Sequence, residues 1–360
     1  MIVISDLHLG CNRRGGTTLQ TAAELKKHQL SNLSTFLSKH TSEHIICNGD
    51  ILDAFEIETS EVVKVFEMFA DWLRLSNSSL TFIMGNHDAS AKAGKLSSFH
   101  LLSHFLYSMF PDRFRMIDHK CGFTQVGDGV WVISHCLNQD LFEVELDKAV
   151  EFDGKGKRLL LHANVKNNFA EHSDHSLNLS NEALAGLMEA GWTLVVGHEH
   201  IGYTLRGGRI VVVGNQWPTS VSDCIGDEDK QAVRIQDGKL DYIETWKAEG
   251  NYAEIDWRDL TATEAKFIRV VGDATAAEAA DVISAISQYR QRSDAFVITN
   301  AVKVEGVEAL DEIAAEAVGS IKTFDVLGAI YEMLEDKEVE TVKGLLANPQ
   351  EGATCSDQSN

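Results

Sequence analysis

Basic residues are scarce in this chain. Its 360 residues carry 32 lysines and arginines against 54 aspartates and glutamates, a formal charge of −22. Sequence-independent nucleic-acid binding depends on basic side chains that neutralise phosphates, so a chain of this charge makes a poor DNA binder unaided. A polyanionic substrate would need metals, a local basic patch or a partner to meet it. Only three prolines and 44% hydrophobic residues describe a compact soluble protein. No apolar run approaches the ~20 residues of a membrane span. The chain opens in an apolar strand rather than a basic-then-apolar leader, and a cytoplasmic protein without membrane contact is expected. Cys-x-x-Cys pairs are absent as well. Cys11, Cys47, Cys121, Cys136, Cys224 and Cys355 are scattered, several inside apolar strands, which points to reduced, mostly buried thiols and away from a disulfide framework.

What the chain does have is a series of apolar runs that stop at polar residues able to hold a metal. Ile2-Val3-Ile4 reads as a buried strand and ends at Ser5-Asp6-Leu7-His8; His44 to Cys47 ends at Asn48-Gly49-Asp50; Leu80 to Met84 ends at Gly85-Asn86-His87-Asp88. Lys157 to Leu161 leads to His162, and Trp192 to Val196 leads to Gly197-His198-Glu199-His200. Between the first three strands lie helical patterns: Leu30, Leu33 and Leu37, then Val62, Val65, Phe66, Phe69, Trp72 and Leu73. A short helix between Ser97 and Phe110 closes at Pro111. Phe123 to Ile133 folds back through a Gly127-Asp128-Gly129 turn, and Gln231 to Ile243 does so through Asp237-Gly238. Alternating strands and helices of this kind argue an α/β layer fold with buried strands.

At this length two domains are expected, because single cores stop growing near ~250 residues. Residues 1–245 read as the first. Residues 245 to 265 are polar and irregular, as a linker is, and within 246–305 a β-α-β unit follows, with strands at Phe267 to Val271 and Ala295 to Thr299 around an alanine-rich helix. Residues 306–347 carry helical apolar spacing that suits either a core face or a partner surface. Residues 348–360 read as a disordered tail.

In an open α/β sheet, functional residues gather outside the carboxyl ends of the strands, so five such ends can meet in one crevice. The imidazoles, carboxylates and Asn86 suit Mn²⁺, Fe or Zn²⁺, and no thiolate is included that would mark a structural zinc site. Asp50 is placed to bridge two cations, with Asp6, His8 and His200 completing one and Asn86, His162 and His198 the other. A water acidified by both would attack phosphorus in line. His87 would then protonate or steady the leaving oxygen, and Asp88 would orient His87.

The series Asp6-x-His8, Gly49-Asp50, Gly85-Asn86-His87-Asp88, a strand-terminal His162 and Gly197-His198-x-His200 resembles the calcineurin-like metallophosphoesterase superfamily. That resemblance implies a two-layered β-sandwich flanked by helices. A narrower resemblance, covering nearly the whole chain, is to the SbcD-type DNA double-strand-break repair nucleases, including phage versions. Ser5 to Gly10 is similar to that family's opening, Gly49 to Asp53 to its second motif, and Gly214 to Ser220 to the loop after its Gly-His-x-His strand. The β-α-β unit resembles its capping domain and the terminal helices its ATPase-binding segment. The resemblance implies a homodimeric, Mn²⁺-dependent exonuclease and endonuclease, with Mg²⁺, Fe²⁺ or Zn²⁺ as alternatives. It would act on DNA with an SbcC-like ABC-type ATPase in repair, recombination or replication. Gly214-Asn215 departs from the Gly-Ser of the family pattern, and the C-terminal region is short. Other readings of the same metals are a phosphodiesterase or phosphatase for nucleotides or phosphoproteins, and a DNA-end-tethering scaffold with an idle site.

Several polar residues have plainer readings beside these. His135 ends Val132-Ile133-Ser134 and competes with His162 for its place, or forms a pocket wall. Asp53 caps a helix or supports a ligand, and Arg13 with Arg14 either touches phosphate or lies in a solvated turn. Glu171 to His175 lacks a leading strand and reads as a solvated loop. His28, His40, His44, His100, His104 and His119 read as helix or loop histidines.

Overall fold

The computed structural model describes residues 1–11, 19–89, 95–165, 176–225, 229–261 and 263–305. In chain order the first half runs β1 (Ile2–Ile4), α1 (Leu19–Lys39), β2 (His44–Asn48), α2 (Thr59–Leu75), β3 (Ser79–Ile83), α3 (Ser98–Met109), β4 (Phe114–Ile117), β5 (Phe123–Gly127), β6 (Val130–Ile133) and α4 (Gln139–Glu151). It continues through β7 (Arg158–His162), α5 (Asn181–Glu189), β8 (Thr193–Gly197), β9 (Tyr203–Leu205), β10 (Ile210–Val212), β11 (Lys230–Gln236) and β12 (Lys239–Trp246). Last come β13 (Tyr252–Asp256), β14 (Phe267–Val271), β15 (Asp273–Ala274), α6 (Ala279–Arg292), β16 (Val297–Asn300) and β17 (Lys303–Val304).

Two six-stranded sheets carry the fold. The first has the order β12-β11-β1-β2-β3-β4, parallel from β1 to β4, with the β11-β12 hairpin added antiparallel to β1. The second has the order β5-β6-β7-β8-β10-β9, parallel from β6 to β10. Each central strand is buried on both faces, which is why it reads as an unbroken apolar run. Odd and even positions serve different cores. Val3, Ile46 and Ile83 of the first sheet meet Val132, Leu160, Val195 and Val211 of the second. Their chain neighbours Ile2, Ile4, Ile45 and Cys47 face outward onto α1, α2 and α3. Leu159, Leu161, Leu194 and Val196 do the same toward α4 and α5. The molecule is therefore the helix-flanked two-sheet α/β fold expected from the strand pattern.

Residues 245 to 265 are a correction. They do not form a linker: Tyr252–Asp256 is a strand, paired parallel to β14, which pairs in turn with β16. Its half-buried residues have no apolar run to reveal them. Trp246, Phe267, Phe296 and Val297 share a core with Leu25 and Leu33 of α1. The chain divides into two compact units, Met1–Gly272 with Asp281–Val302, and Asp273–Ala280 with Lys303–Asn360. In the second unit β15 pairs parallel to β17. The helical segment 306–347, the tail 348–360, Arg13, Arg14 and the Glu171 to His175 stretch lie outside the described residues. Among the described residues no helix is long and apolar enough to cross a membrane, and Cys11, Cys47, Cys121, Cys136 and Cys224 form no disulfide.

Candidate metal centre

Four of the proposed ligands have a backbone that their side chains resist. Asp6 (φ 52°), His8 (φ 44°), Asp50 (φ 50°) and His198 (φ 94°) all occupy the left-handed region, which costs a residue with a Cβ on the order of 1 kcal/mol or more. Residues held this way cluster where surrounding structure dictates side-chain direction. Here the dictation is visible. The His198 amide donates to both carboxylate oxygens of Asp6, at 3.1 Å each, and the amides of Asp6 and His8 donate to the carbonyls of Gly49 and Asp50. Gly49 (φ +88°) sits where a Cβ would run into the His162 ring, so the ring's approach to the β2 terminus requires glycine.

The side chains converge in two groups that share Asp50. In one, Asp6, His8 and His200 each place a ligand atom within 4.8 Å of the others, and His8 Nε2 and His200 Nε2 are 3.0 Å apart. In the other, Asn86 Oδ1 lies 3.1 Å from His162 Nε2 and 3.0 Å from His198 Nδ1. Asp50 Oδ2 stands between them, 3.2 Å from His162 Nε2 and 3.8 Å from His8 Nε2. The other nitrogens are already engaged. His162 Nδ1 donates to the Asn48 carbonyl at 3.0 Å, and His200 Nδ1 donates to Asp223 at 2.9 Å. Both rings therefore turn Nε2 inward, the nitrogen left for a metal to take in place of a proton.

Burial on its own would raise Asp50, but the His162 ring beside it reverses the effect and holds Asp50 well below the usual carboxylate range. Burial would likewise lower His162, and the Asp50 carboxylate lifts it to about 10. Asp223 does the same for His200: burial pulls the ring down, and the hydrogen-bonded carboxylate more than restores it. Without cations the crevice thus satisfies its carboxylates with protons on imidazole. Asp6 and His8 are fully buried, and buried polar groups persist when they are hydrogen-bonded or coordinate a metal.

A family model for calcineurin-like phosphoesterases matches residues 1–243. The chain belongs to that family. No curated protein matches it. Among solved structures, the cold-active protein-tyrosine phosphatase of a psychrophilic Shewanella species is 13% identical, over 68% of this chain and 77% of that one, with a TM-score of 0.33. The Pseudomonas putida nuclease MPE is 16% identical, over 67% and 86%, with a TM-score of 0.27.

As a calcineurin-like phosphoesterase, the chain has a donor set that fits a cation pair: two groups of oxygen and imidazole donors, one carboxylate common to both, and ring tautomers set from outside. The remaining candidates sort by contact. His87 Nδ1 donates to the Asp53 carbonyl at 2.7 Å, and its amide donates to Asp50 Oδ1 at 2.9 Å. The ring stands edge-on to His8, centroids 4.8 Å apart. Asp88 does not orient His87. Its buried carboxylate accepts the amides of Ile51, Leu52 and Gly85, tying the β2 and β3 loops together, and burial beside Asp50 pushes it up to about 7. Asp53 Oδ1 is 3.3 Å from His8 Nδ1. His135 is buried but belongs to none of the ligand clusters found among the described residues. The sequence reading missed Asp223, whose carboxylate also accepts the Thr219 and Ser220 amides at 2.8 and 3.0 Å. It also missed Ser5, whose Oγ is 2.5 Å from Asp6 Oδ2.

Proposed function

We propose that the chain is a two-metal phosphodiesterase acting as a DNA nuclease of SbcD type. The observation that carries the hydrolytic part is Asp50 standing between two donor groups, at 3.2 Å from His162 and 3.8 Å from His8. Asp6, His8 and His200 would hold one divalent cation and Asn86, His162 and His198 the other, with Asp50 common to both. When bound, such a pair polarises the phosphoester and acidifies water near neutral pH. Mn²⁺ suits this oxygen and imidazole set.

The protein's own groups then do the rest. The Asp53 carbonyl fixes the His87 proton on Nδ1, so Nε2 is the atom that carries a proton to the leaving oxygen. Asp88 and Gly85 hold the Asn86-His87 turn against the β2 loop. Beyond the family-matched residues, the β13-β14-β16 sheet adds a layer on the same core. This supports a polymeric substrate, since a small phosphoester needs no such addition. An SbcC-like ATPase partner would supply the DNA affinity that a charge of −22 denies the chain alone. That charge also favours a second reading, hydrolysis of small phosphoesters. The convergence of all seven donors supports an active site over an idle tethering scaffold.

The discriminating experiment incubates the protein with Mn²⁺ and linear duplex DNA, single-stranded DNA or bis-p-nitrophenyl phosphate, with and without an SbcC-like ATPase, comparing wild type with His87→Ala. Cleavage of DNA by wild type and its loss in His87→Ala are expected. Release of nitrophenol with intact DNA in every condition would sink the nuclease reading and leave the small-phosphoester one.

A further inference from the structure

The first sheet presents a ligand-type side chain after each of its four parallel strands, and the catalytic centre uses only three of those ends. Past β4, Asp118 and His119 follow Ile117, and His100 reaches them from the first turn of α3. One ligand atom from each of His100, Asp118 and His119 lies within 4.8 Å of the other two. Reading these histidines as ordinary helix and loop residues leaves that convergence unexplained.

Each member is oriented by its own neighbours. His100 Nδ1 lies 2.9 Å from Ser97 Oγ and 3.3 Å from Ser97 N, inside the α3 capping box. The Ser97 amide donates to Nδ1, so the neutral ring keeps its proton on Nε2; a cation taken at Nε2 shifts that proton to Nδ1, where Ser97 Oγ accepts it. Asp118 Oδ1 accepts the Lys120 amide at 3.0 Å and lies 3.6 Å from Cys121 Sγ, leaving its second oxygen for a cation. Cys121 is exposed; its Sγ lies outside the group of ligand atoms that all fall within 4.8 Å of one another, so it joins a bound cation only by turning its side chain. Burial holds the His100 ring below its ordinary value, with the Asp118 carboxylate opposing. His100 and Asp118 also line an open groove of about 1040 Å³ that gives an ion a path from solvent.

We propose that His100, Asp118 and His119 form a second metal site for a divalent transition cation of the Zn²⁺ class, with Cys121 as its fourth donor. Two imidazoles, one carboxylate and one thiolate are a borderline-soft, four-coordinate set, which favours Zn²⁺ over Mg²⁺ or Mn²⁺. This set differs in kind from the catalytic one, which contains no sulfur. Binding deprotonates the Cys121 thiol and releases that proton to solvent. The cation would fasten the start of α3 to β4, the outermost strand of the first sheet.

Equilibrium dialysis against Zn²⁺ of wild type and His119→Ala, followed by metal analysis, tests the site. His119→Ala is expected to retain one Zn²⁺ fewer per chain, while its hydrolysis of bis-p-nitrophenyl phosphate stays at the wild-type rate and certifies its fold. The count is a difference, so it holds whatever number of cations the catalytic crevice takes. Equal retention by the two proteins overturns the site. With Co²⁺ in place of Zn²⁺, wild type should show thiolate-to-cobalt charge-transfer absorption that Cys121→Ser lacks. A band that persists in Cys121→Ser overturns the fourth donor.

Discussion

Asp50 and His87 sit 37 positions apart and touch through one hydrogen bond, from the His87 amide to Asp50 Oδ1, yet their removal should produce opposite phenotypes. Asp50→Ala takes away the oxygen common to both donor groups, and metal analysis should find both catalytic cations gone. His87→Ala should keep them and lose turnover by about 10²- to 10⁴-fold, the usual scale for a proton-transferring side chain. If Asp50→Ala retains the full cation complement, the shared role assigned to that carboxylate is wrong. Asp223 supplies a third measurement. Since its carboxylate holds the His200 proton on Nδ1, Asp223→Asn should weaken cation affinity by about 10- to 100-fold in calorimetric titration; unchanged affinity would place the residue outside metal binding. The proposed ligands were legible because each ends or follows an apolar strand. Asp223 was not, because its link to His200 is a hydrogen bond across an irregular loop, and no period or spacing in the sequence encodes it. His87's partner was misread for a related reason: adjacency suggested Asp88, whereas the fold delivers a backbone carbonyl from residue 53.

At the scale of the elements, the strand ends matter more than the strands. β2 stops at Asn48, and Gly49 permits the chain to turn under the His162 ring. Gly49→Ala would add a Cβ into that ring and force φ +88° on a residue that disfavours it, so a destabilisation of about 2 kcal/mol or more is expected. A denaturation midpoint equal to wild type would refute it. Buried parallel strands such as β7 and β8 announce themselves as apolar runs, and α2 by its stripe of Val62, Val65, Phe69 and Leu73. The three-residue β9 and the half-buried β13 give no such signal. Both exist because a neighbouring strand offers them a ladder, β10 for one and β14 for the other, which is tertiary information.

For the molecule as a whole, pH enters through a histidine distant from the crevice. His44 begins β2, with Nε2 2.9 Å from Thr81 Oγ1. Burial, helped by the N-terminal ammonium and Arg115, lowers its pKa from 6.5 to about 4. The folded protein therefore keeps the ring neutral where the unfolded chain protonates it. The resulting stability is complete above pH ~6.5 and is lost as pH falls from there toward 4, amounting to about 1–2 kcal/mol by pH ~5. His44→Gln should show a smaller drop in melting temperature between pH 7 and pH 5 than wild type. An identical drop would show that other groups govern acid sensitivity.

The two sheets also divide the proposed donors between them. Asp6, His8, Asp50 and Asn86 follow strands of the first, while His162, His198 and His200 end or follow strands of the second. The seam is stitched by the Asn48 side-chain amide on the Leu161 carbonyl, 2.9 Å, and by the His198 amide on Asp6. A nascent chain that has built only β1 to β4 owns the Asp50 carboxylate with His8 and the His87 amide beside it, but none of the second sheet's imidazoles. Chemistry begins only when a histidine more than 100 positions away has arrived. A phosphoester hydrolase gains from such an arrangement a safeguard against its own immature forms: each half, alone, is without the other's donors.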